Sequence, residues 1–245
     1  MLTPGVRHIG PLLKDAHMKI RSAFVVGAIL LAPAAALAQW SDNFDSYPTG
    51  TLLNGVGGWG GWDGSAAAAG TASNAQALSA PNSIAIGASA DAVHSYDATE
   101  GAWTYTAHQY IPTAFTGTTY FILLNTYNDG GPYDWSVQLN FNGTTGLISD
   151  DNHPGSQVSF VRGQWAEIRF EIDLDADTVN GFYNNQLVSS GSWTSSASSA
   201  TSIGAVDLFG NGAGTVYYDN MSLVPSPAAA ALLGLGGLFA GRRRR

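Results

Sequence analysis

The stretch that decides the fold is Trp165-Ala166-Glu167-Ile168-Arg169-Phe170-Glu171-Ile172-Asp173-Leu174-Asp175. Ile168, Phe170, Ile172 and Leu174 alternate with Glu167, Arg169, Glu171, Asp173 and Asp175. Side chains of a strand point alternately to its two faces, so this pattern predicts a strand with one buried face and one wet face. Trp135, Val137, Leu139 and Phe141 alternate with Ser136, Gln138 and Asn140 in the same way. Asn142-Gly143 then predicts a tight hairpin turn before Leu147-Ile148.

Working outward, residues 120–127 (YFILLNTY) form a mostly apolar run suited to a central strand, and residues 103–111 (WTYTAHQYI) predict another, ended by Pro112. Phe182-Tyr183 and Leu187-Val188 flank an Asn184-Asn185 turn, and residues 206–209 and 216–223 supply the last strands. No helical period of adequate length occurs between residues 39 and 223. Many short strands at regular spacing predict an all-β, antiparallel sandwich. The segment is long enough to bury a core without cross-links.

Composition narrows the chemistry. The chain has 245 residues and no cysteine, which excludes disulfides and cysteine-bound zinc. Its net charge of −8 is unevenly placed. Four basic residues lie in the first 21 positions and four arginines end the chain. Between them stand only Arg162 and Arg169, against seventeen acids, a charge of −15. So few cations cannot neutralise phosphates, so nucleic acid is not an expected partner. No phosphate loop, dinucleotide fingerprint or Gly-x-Ser-x-Gly elbow is present. His94, His108 and His153 share no metal-ligand spacing and are expected as strand or turn residues rather than bases.

The basic ends read as addresses. Met18-Lys19-Ile20-Arg21 precedes an uncharged apolar run over residues 23–32, then Pro33 and the small-x-small pattern Ala36-Leu37-Ala38. That order predicts a secretory signal peptide over 18–38, a short helix cut after Ala38. Residues 1–17 carry no organised pattern, which makes Met18 the expected start and 1–17 a spurious or unstructured extension. At the other end, Val224-Pro225-Ser226-Pro227 is followed by the apolar run 228–241 and by Arg242, Arg243, Arg244 and Arg245. A run of that length is a marginal transmembrane helix. The arginines would hold its end on the cytoplasmic side. This tail resembles the PEP-CTERM sorting signal of exported bacterial proteins, in which a Pro-x-Pro motif precedes a short membrane segment and a basic cluster. Ser226 stands where that motif has Glu. The resemblance implies export through the general secretion machinery. It also implies transient membrane contact, processing by an exosortase, and delivery to the cell surface, envelope or extracellular matrix.

The body, residues 39–223, resembles a laminin-G or concanavalin-A-like jelly roll. The resemblance rests on Gly163-Gln164-Trp165 through Leu174, on the hairpin Tyr183-Asn184-Asn185-Gln186-Leu187, on the opening Asp42–Gly50 and on the closing Tyr217–Leu223. It implies a lectin-like sandwich flanked by the signal helix and, over 224–245, the tail helix. Binding modules and enzymes share that architecture.

Three groups of residues are candidates for chemistry. Tyr127, Asp129, Tyr133, Asp134 and Trp135 interleave aromatics with acids in one loop, and Trp59 and Trp62 lie in the Gly-rich run Trp59-Gly60-Gly61-Trp62-Asp63-Gly64. Aromatic faces and planar polar groups are what a polysaccharide site needs. The competing expectation, favoured for Trp59 and Trp62, is that the rings lid the core. Second, Asp45 and Asp219 become neighbours if the chain ends pair, and carboxylates there suit a structural calcium ion. The series Asp173, Asp175, Asp177 does not make an EF-hand, because Thr178 stands where Gly is required. Third, Glu171, Asp173 and Asp175 resemble the catalytic strand of laminarinase-type glycoside hydrolases, which pair two carboxylates about 5 Å apart. The solvent face of an amphipathic strand explains the same three residues. The expected role is therefore an exported, non-enzymatic envelope or matrix protein that binds carbohydrate. The alternative is a carbohydrate-active enzyme, a glycoside hydrolase or lyase.

Overall fold

The computed structural model describes residues 40–194 and 199–226, together with Met1 and Gly5. The signal segment with Ala36 and Ala38, and the tail from Pro227 through Arg242, Arg243, Arg244 and Arg245, lie outside the described residues. Among the described residues the chain forms fifteen strands. In order these are β1 (Trp40–Asp42), β2 (Trp59–Gly61), β3 (Thr71–Ser73), β4 (Ser83–Ile86) and β5 (Asp91–Ala98). Next come β6 (Ala102–Tyr110), β7 (Thr118–Thr126), β8 (Asp134–Asn142), β9 (Leu147–Asp150) and β10 (Gln157–Ser159). The last are β11 (Trp165–Asp173), β12 (Thr178–Tyr183), β13 (Gln186–Gly191), β14 (Ile203–Phe209) and β15 (Val216–Pro225). The only helical turns among them are two three-residue 3₁₀ turns, Trp62–Gly64 and Ala66–Ala68. No helix among the described residues is long and apolar enough to cross a membrane.

The strands make two antiparallel sheets. Sheet one runs β13-β12-β11-β6-β15-β4-β3, with β1 also paired to β15. Sheet two runs β10-β9-β8-β7-β14-β5-β2. The chain ends pair as expected, Trp40 opposite Leu223 and Asp42 opposite Met221. Strand β15 continues to Pro225, and the Ser226 N–H donates to the Ala102 carbonyl, so the sheet takes in the first two residues of the Pro225-Ser226-Pro227 motif.

Between the sheets lies a core with several fully buried rings. Phe121 of β7 stacks on Phe170 of β11 with centroids 5.9 Å apart, and it meets Tyr105 and Tyr218 of sheet one at 5.8 and 6.0 Å. Each such ring contributes about 1.5–3 kcal/mol by leaving water. Strand β11 buries Ile168, Phe170 and Ile172, the alternating residues of the opening stretch. The Asn184-Asn185 turn also forms as read, with φ of 47° and 62°, the left-handed values a two-residue hairpin needs. Asn142-Gly143 behaves differently. The loop to β9 is longer, with the Asn142 side chain accepting from the Thr144 and Thr145 N–H groups at 2.9 and 3.1 Å.

A second departure shapes the site. The alternation places Trp135 inward with Val137, Leu139 and Phe141. In the structure Val137 pairs with Leu123, but Trp135 pairs with Leu124, leaving Ser136 as an extra residue. That β-bulge reverses the facing of everything before it, and Trp135 emerges on the outer face of sheet two.

Candidate functional site

Strand β7 is apolar on both faces because both are covered. Phe121 and Leu123 enter the main core, while Ile122 and Leu124 join Val93 and Ala205 in a second apolar cluster on the outer face of sheet two. Strand registry arranges this face in rows. Gln138, Ile122, Asp207 and Val93 lie side by side across β8, β7, β14 and β5. The neighbouring row is Asn140, Tyr120, Phe209 and Asp91.

The aromatic loops roof one side of this face. Trp62 lies 5.0 Å from Tyr127, 4.7 Å from Tyr133 and 6.3 Å from Trp135, the last pair nearly parallel at 10°. Asp63 ties the two loops together. Its N–H donates to the Tyr127 hydroxyl at 3.0 Å. Its carboxylate accepts from the Gly130 N–H at 2.9 Å and from the Tyr133 hydroxyl at 2.5 Å. These bonds hold the Asp63 carboxyl below the usual range and push the Tyr133 phenol up. Tyr127 donates onward to Asp129. Asp134 is buried at the head of β8, with one carboxylate oxygen lacking a hydrogen-bond partner. Five of the six expected ligand residues, Trp62, Tyr127, Asp129, Tyr133 and Trp135, are therefore brought together, with Asp134 beside them in sequence. Trp59 does not join them. It is buried in the main core and donates its indole N–H to Asp42 at 3.0 Å, as the lid expectation has it.

Beside the aromatic group a cavity of about 210 Å³ opens between Trp62, Trp135 and Phe209, floored by Asp91, Asp207 and Gln138. Asp91 and Asp207 are diagonal neighbours on adjacent strands. Asp207 is only 3% exposed, and one oxygen of each carboxyl has no partner. Burial, then the charge and hydrogen bond of Asp91, drive the Asp207 carboxyl well above its ordinary value. Burial also raises Asp91, against the hydrogen bond it receives from Asp207. Both shifts run in the direction that disfavours charge on the pair. Two carboxylates in contact cannot both ionise at low cost. The sequence reading missed both residues. The available signal was an acid inside the apolar run Ala205-Val206-Asp207-Leu208-Phe209.

The residues of the laminarinase-like expectation lie elsewhere. Glu171 lies on sheet one, away from the aromatic face, and pairs with Arg169, which also meets Glu167. The Asp173 carboxylate accepts from the N–H groups of Asp175 and Ala176 at the turn, and Asp175 accepts from the Gly101 N–H. These are turn-capping bonds and an exposed ion pair.

Asp45 and Asp219 both converge on the segment 78–82. Asp219 accepts from the N–H groups of Leu78 and Ser79 at 2.7 and 2.9 Å, from the Ser79 hydroxyl at 3.2 Å and from the Asn220 N–H at 2.7 Å. Asp45 accepts from the Asn82 N–H at 3.1 Å. A cation requires free oxygen lone pairs. Those of Asp219 face N–H and O–H donors.

One further constellation looks catalytic but is wired otherwise. Asp150 Oδ2 accepts from the Ser189 hydroxyl at 2.5 Å and lies 2.8 Å from His153 Nδ1. His153 Nε2, the nitrogen a nucleophile would need, meets the Ser192 carbonyl at 2.9 Å. Ser189 is buried, and the three residues lock the β9–β10 loop to β13. This agrees with His153 as a turn residue.

No family model and no curated protein matches the chain. Among solved structures, an endo-β-1,4-glucuronan lyase from the fungus Trichoderma reesei aligns at TM-score 0.48 and 13% identity, over 79% of this chain and 98% of that one. The carbohydrate-binding module CBM66 from Bacillus subtilis aligns at TM-score 0.42 and 12% identity, over 68% and 95%. A sialidase aligns at TM-score 0.53 and 7% identity, over 78% of this chain. The chain spans only 19% of that sialidase, and the likeness establishes a shared β-sandwich architecture.

Proposed function

We propose that the chain is an exported, non-enzymatic β-sandwich protein of the bacterial envelope or extracellular matrix that binds polysaccharide on the outer face of sheet two. The observation that carries this reading is the cleft. Trp62 and Trp135 offer flat apolar walls, while Gln138, Asp91 and Asp207 offer polar groups at its floor. Sugar rings have apolar C–H faces and polar hydroxyl edges, and this combination matches both. A cavity of about 210 Å³ suits one sugar unit, with neighbouring units crossing the Tyr127–Tyr133 rim. Exposure supports the choice of site, since the rings of Trp62, Tyr127, Tyr133 and Trp135 are only partly buried. The tail resemblance supports delivery by an exosortase. A binding role is favoured by the engagement of Glu171, Asp173 and Asp175 in a surface ion pair and turn caps.

The test is affinity electrophoresis of the purified protein through gels containing soluble polysaccharides. Trp135→Ala is expected to weaken retention by about tenfold, equivalent to about 1.4 kcal/mol. Thermal melting verifies that the variant folds. Equal retention of the variant and the parent, or no retention by any polysaccharide, overturns the reading.

A further inference from the structure

The cleft has an electrostatic asymmetry that bears on what it can hold. Its lining carries the Asp91–Asp207 pair, and the aromatic loops beside it carry Asp63 and Asp129. The two arginines of the sandwich are committed elsewhere. The Arg162 guanidinium donates to the carbonyls of Phe115 and Gly143, at 2.7 and 2.8 Å. Arg169 is ion-paired on sheet one. Among the described residues that line the cavity none is basic, and the field of the surrounding acids repels a ligand carboxylate.

The floor does present acceptors. Asp207 and Asp91 both line the cavity, Asp207 is 3% exposed, and one oxygen of each carboxyl is buried without a partner. An unsatisfied buried oxygen is costly, and a ligand that donates to it recovers that cost. Sugar hydroxyls donate; an ionised sugar carboxylate only accepts.

Resting on the glycan-binding reading, we propose that Asp91 and Asp207 are specificity residues that select uncharged sugar units, bound through paired hydroxyl donors, and reject uronate units. The fold likeness alone does not predict this, since one of the aligned structures is a glucuronan lyase. Shared architecture leaves the charge of the cleft to its own residues.

The experiment compares matched polymers that differ only in the carboxylate. Suitable pairs are soluble β-1,4-glucan with β-1,4-glucuronan, and β-1,4-mannan with β-1,4-mannuronan. Binding is measured by titration calorimetry at low ionic strength, where charge effects are least screened. The parent is expected to bind a neutral polymer at least tenfold more tightly than its carboxylated partner. Asp91→Asn is close in shape and removes one of the two carboxylates. It is expected to narrow the ratio to about threefold or less, and the double variant Asp91→Asn, Asp207→Asn to do the same. Melting temperatures verify that both variants fold. Equal binding of neutral and carboxylated polymers by the parent, or an unchanged ratio in both variants, overturns this inference while leaving glycan binding in place. No binding of any polymer removes the inference and the glycan-binding reading together.

Discussion

Replacing Asp150 by alanine separates a structural network from a catalytic one. Asp150 is 1% exposed and accepts four hydrogen bonds, from Ser189, from His153 and from the N–H groups of Gln138 and Asn152 at 3.0 Å each. Alanine removes the shared acceptor of the Ser189 hydroxyl, the His153 Nδ1 and the N–H groups of Gln138 and Asn152, and leaves only the 3.3 Å contact between Ser189 and His153. Each buried group left without its partner costs about 1–3 kcal/mol. Solvent entry through the half-exposed loop relieves part of this, so the expected loss is about 3–5 kcal/mol, the range for breaking a buried pair. That is a large fraction of the roughly 5–15 kcal/mol that holds a domain folded. Urea unfolding followed by tryptophan fluorescence reads it as a lower midpoint at unchanged slope.

The same network has a pH signature. Burial opposes charge on His153, but the Asp150 carboxylate and the Ser192 carbonyl outweigh it and raise its pKa. Burial would raise Asp150, but its four hydrogen bonds outweigh that and lower it. The His153 contribution is therefore complete below its ordinary value of about 6.5 and is lost as pH rises through the higher folded value. The Asp150 contribution is complete above about 3.9 and is lost as pH falls through the lower folded value. Together they place the network at full strength between about pH 4 and 6.5. A loss below 1 kcal/mol in Asp150→Ala, or a variant with the parent's pH profile, refutes this account.

Two other outcomes are expected. The donor-filled surroundings of Asp219 predict that a calcium chelator shifts the melting temperature by less than about 1 °C, and a fall of several degrees would show that a cation displaces those donors. Intact mass of the secreted protein is expected to show a chain beginning at Gln39 and lacking Arg242–Arg245. Retention of either end refutes that address.

The strands were legible because sheet periodicity is local. The alternation around Phe170 and the Asn184-Asn185 hairpin depend on a few adjacent residues, and both appear as read. Trp135 was misplaced because one inserted residue, Ser136, reverses facing without altering the hydrophobic pattern. The loop at residues 127–135 could be nominated from its composition. Its partner loop was nominated separately, and the Asp63 bonds that join them span too many residues for any local pattern to show. Asp91 and Asp207 escaped notice for the same reason. Each looks like an ordinary strand residue until β5 and β14 are set side by side. Likewise, pairing of the chain ends was foreseeable from the jelly-roll resemblance, whereas the donors that occupy Asp219 come from the distant Leu78–Ser79 segment.

Strand β15 also determines how the molecule would carry load. It is bonded on one flank to β6 and on the other to β1 and β4, and it leads directly into the tail. A protein tethered through that tail, with its cleft holding polysaccharide, feels tension entering at Pro225 and leaving through the opposite sheet. Tension along β15 shears the ladders on both flanks together. An edge strand would peel away one bond at a time and yield at lower force. If the chain is attached through its tail, the attachment point lies on a strand suited to resist pulling.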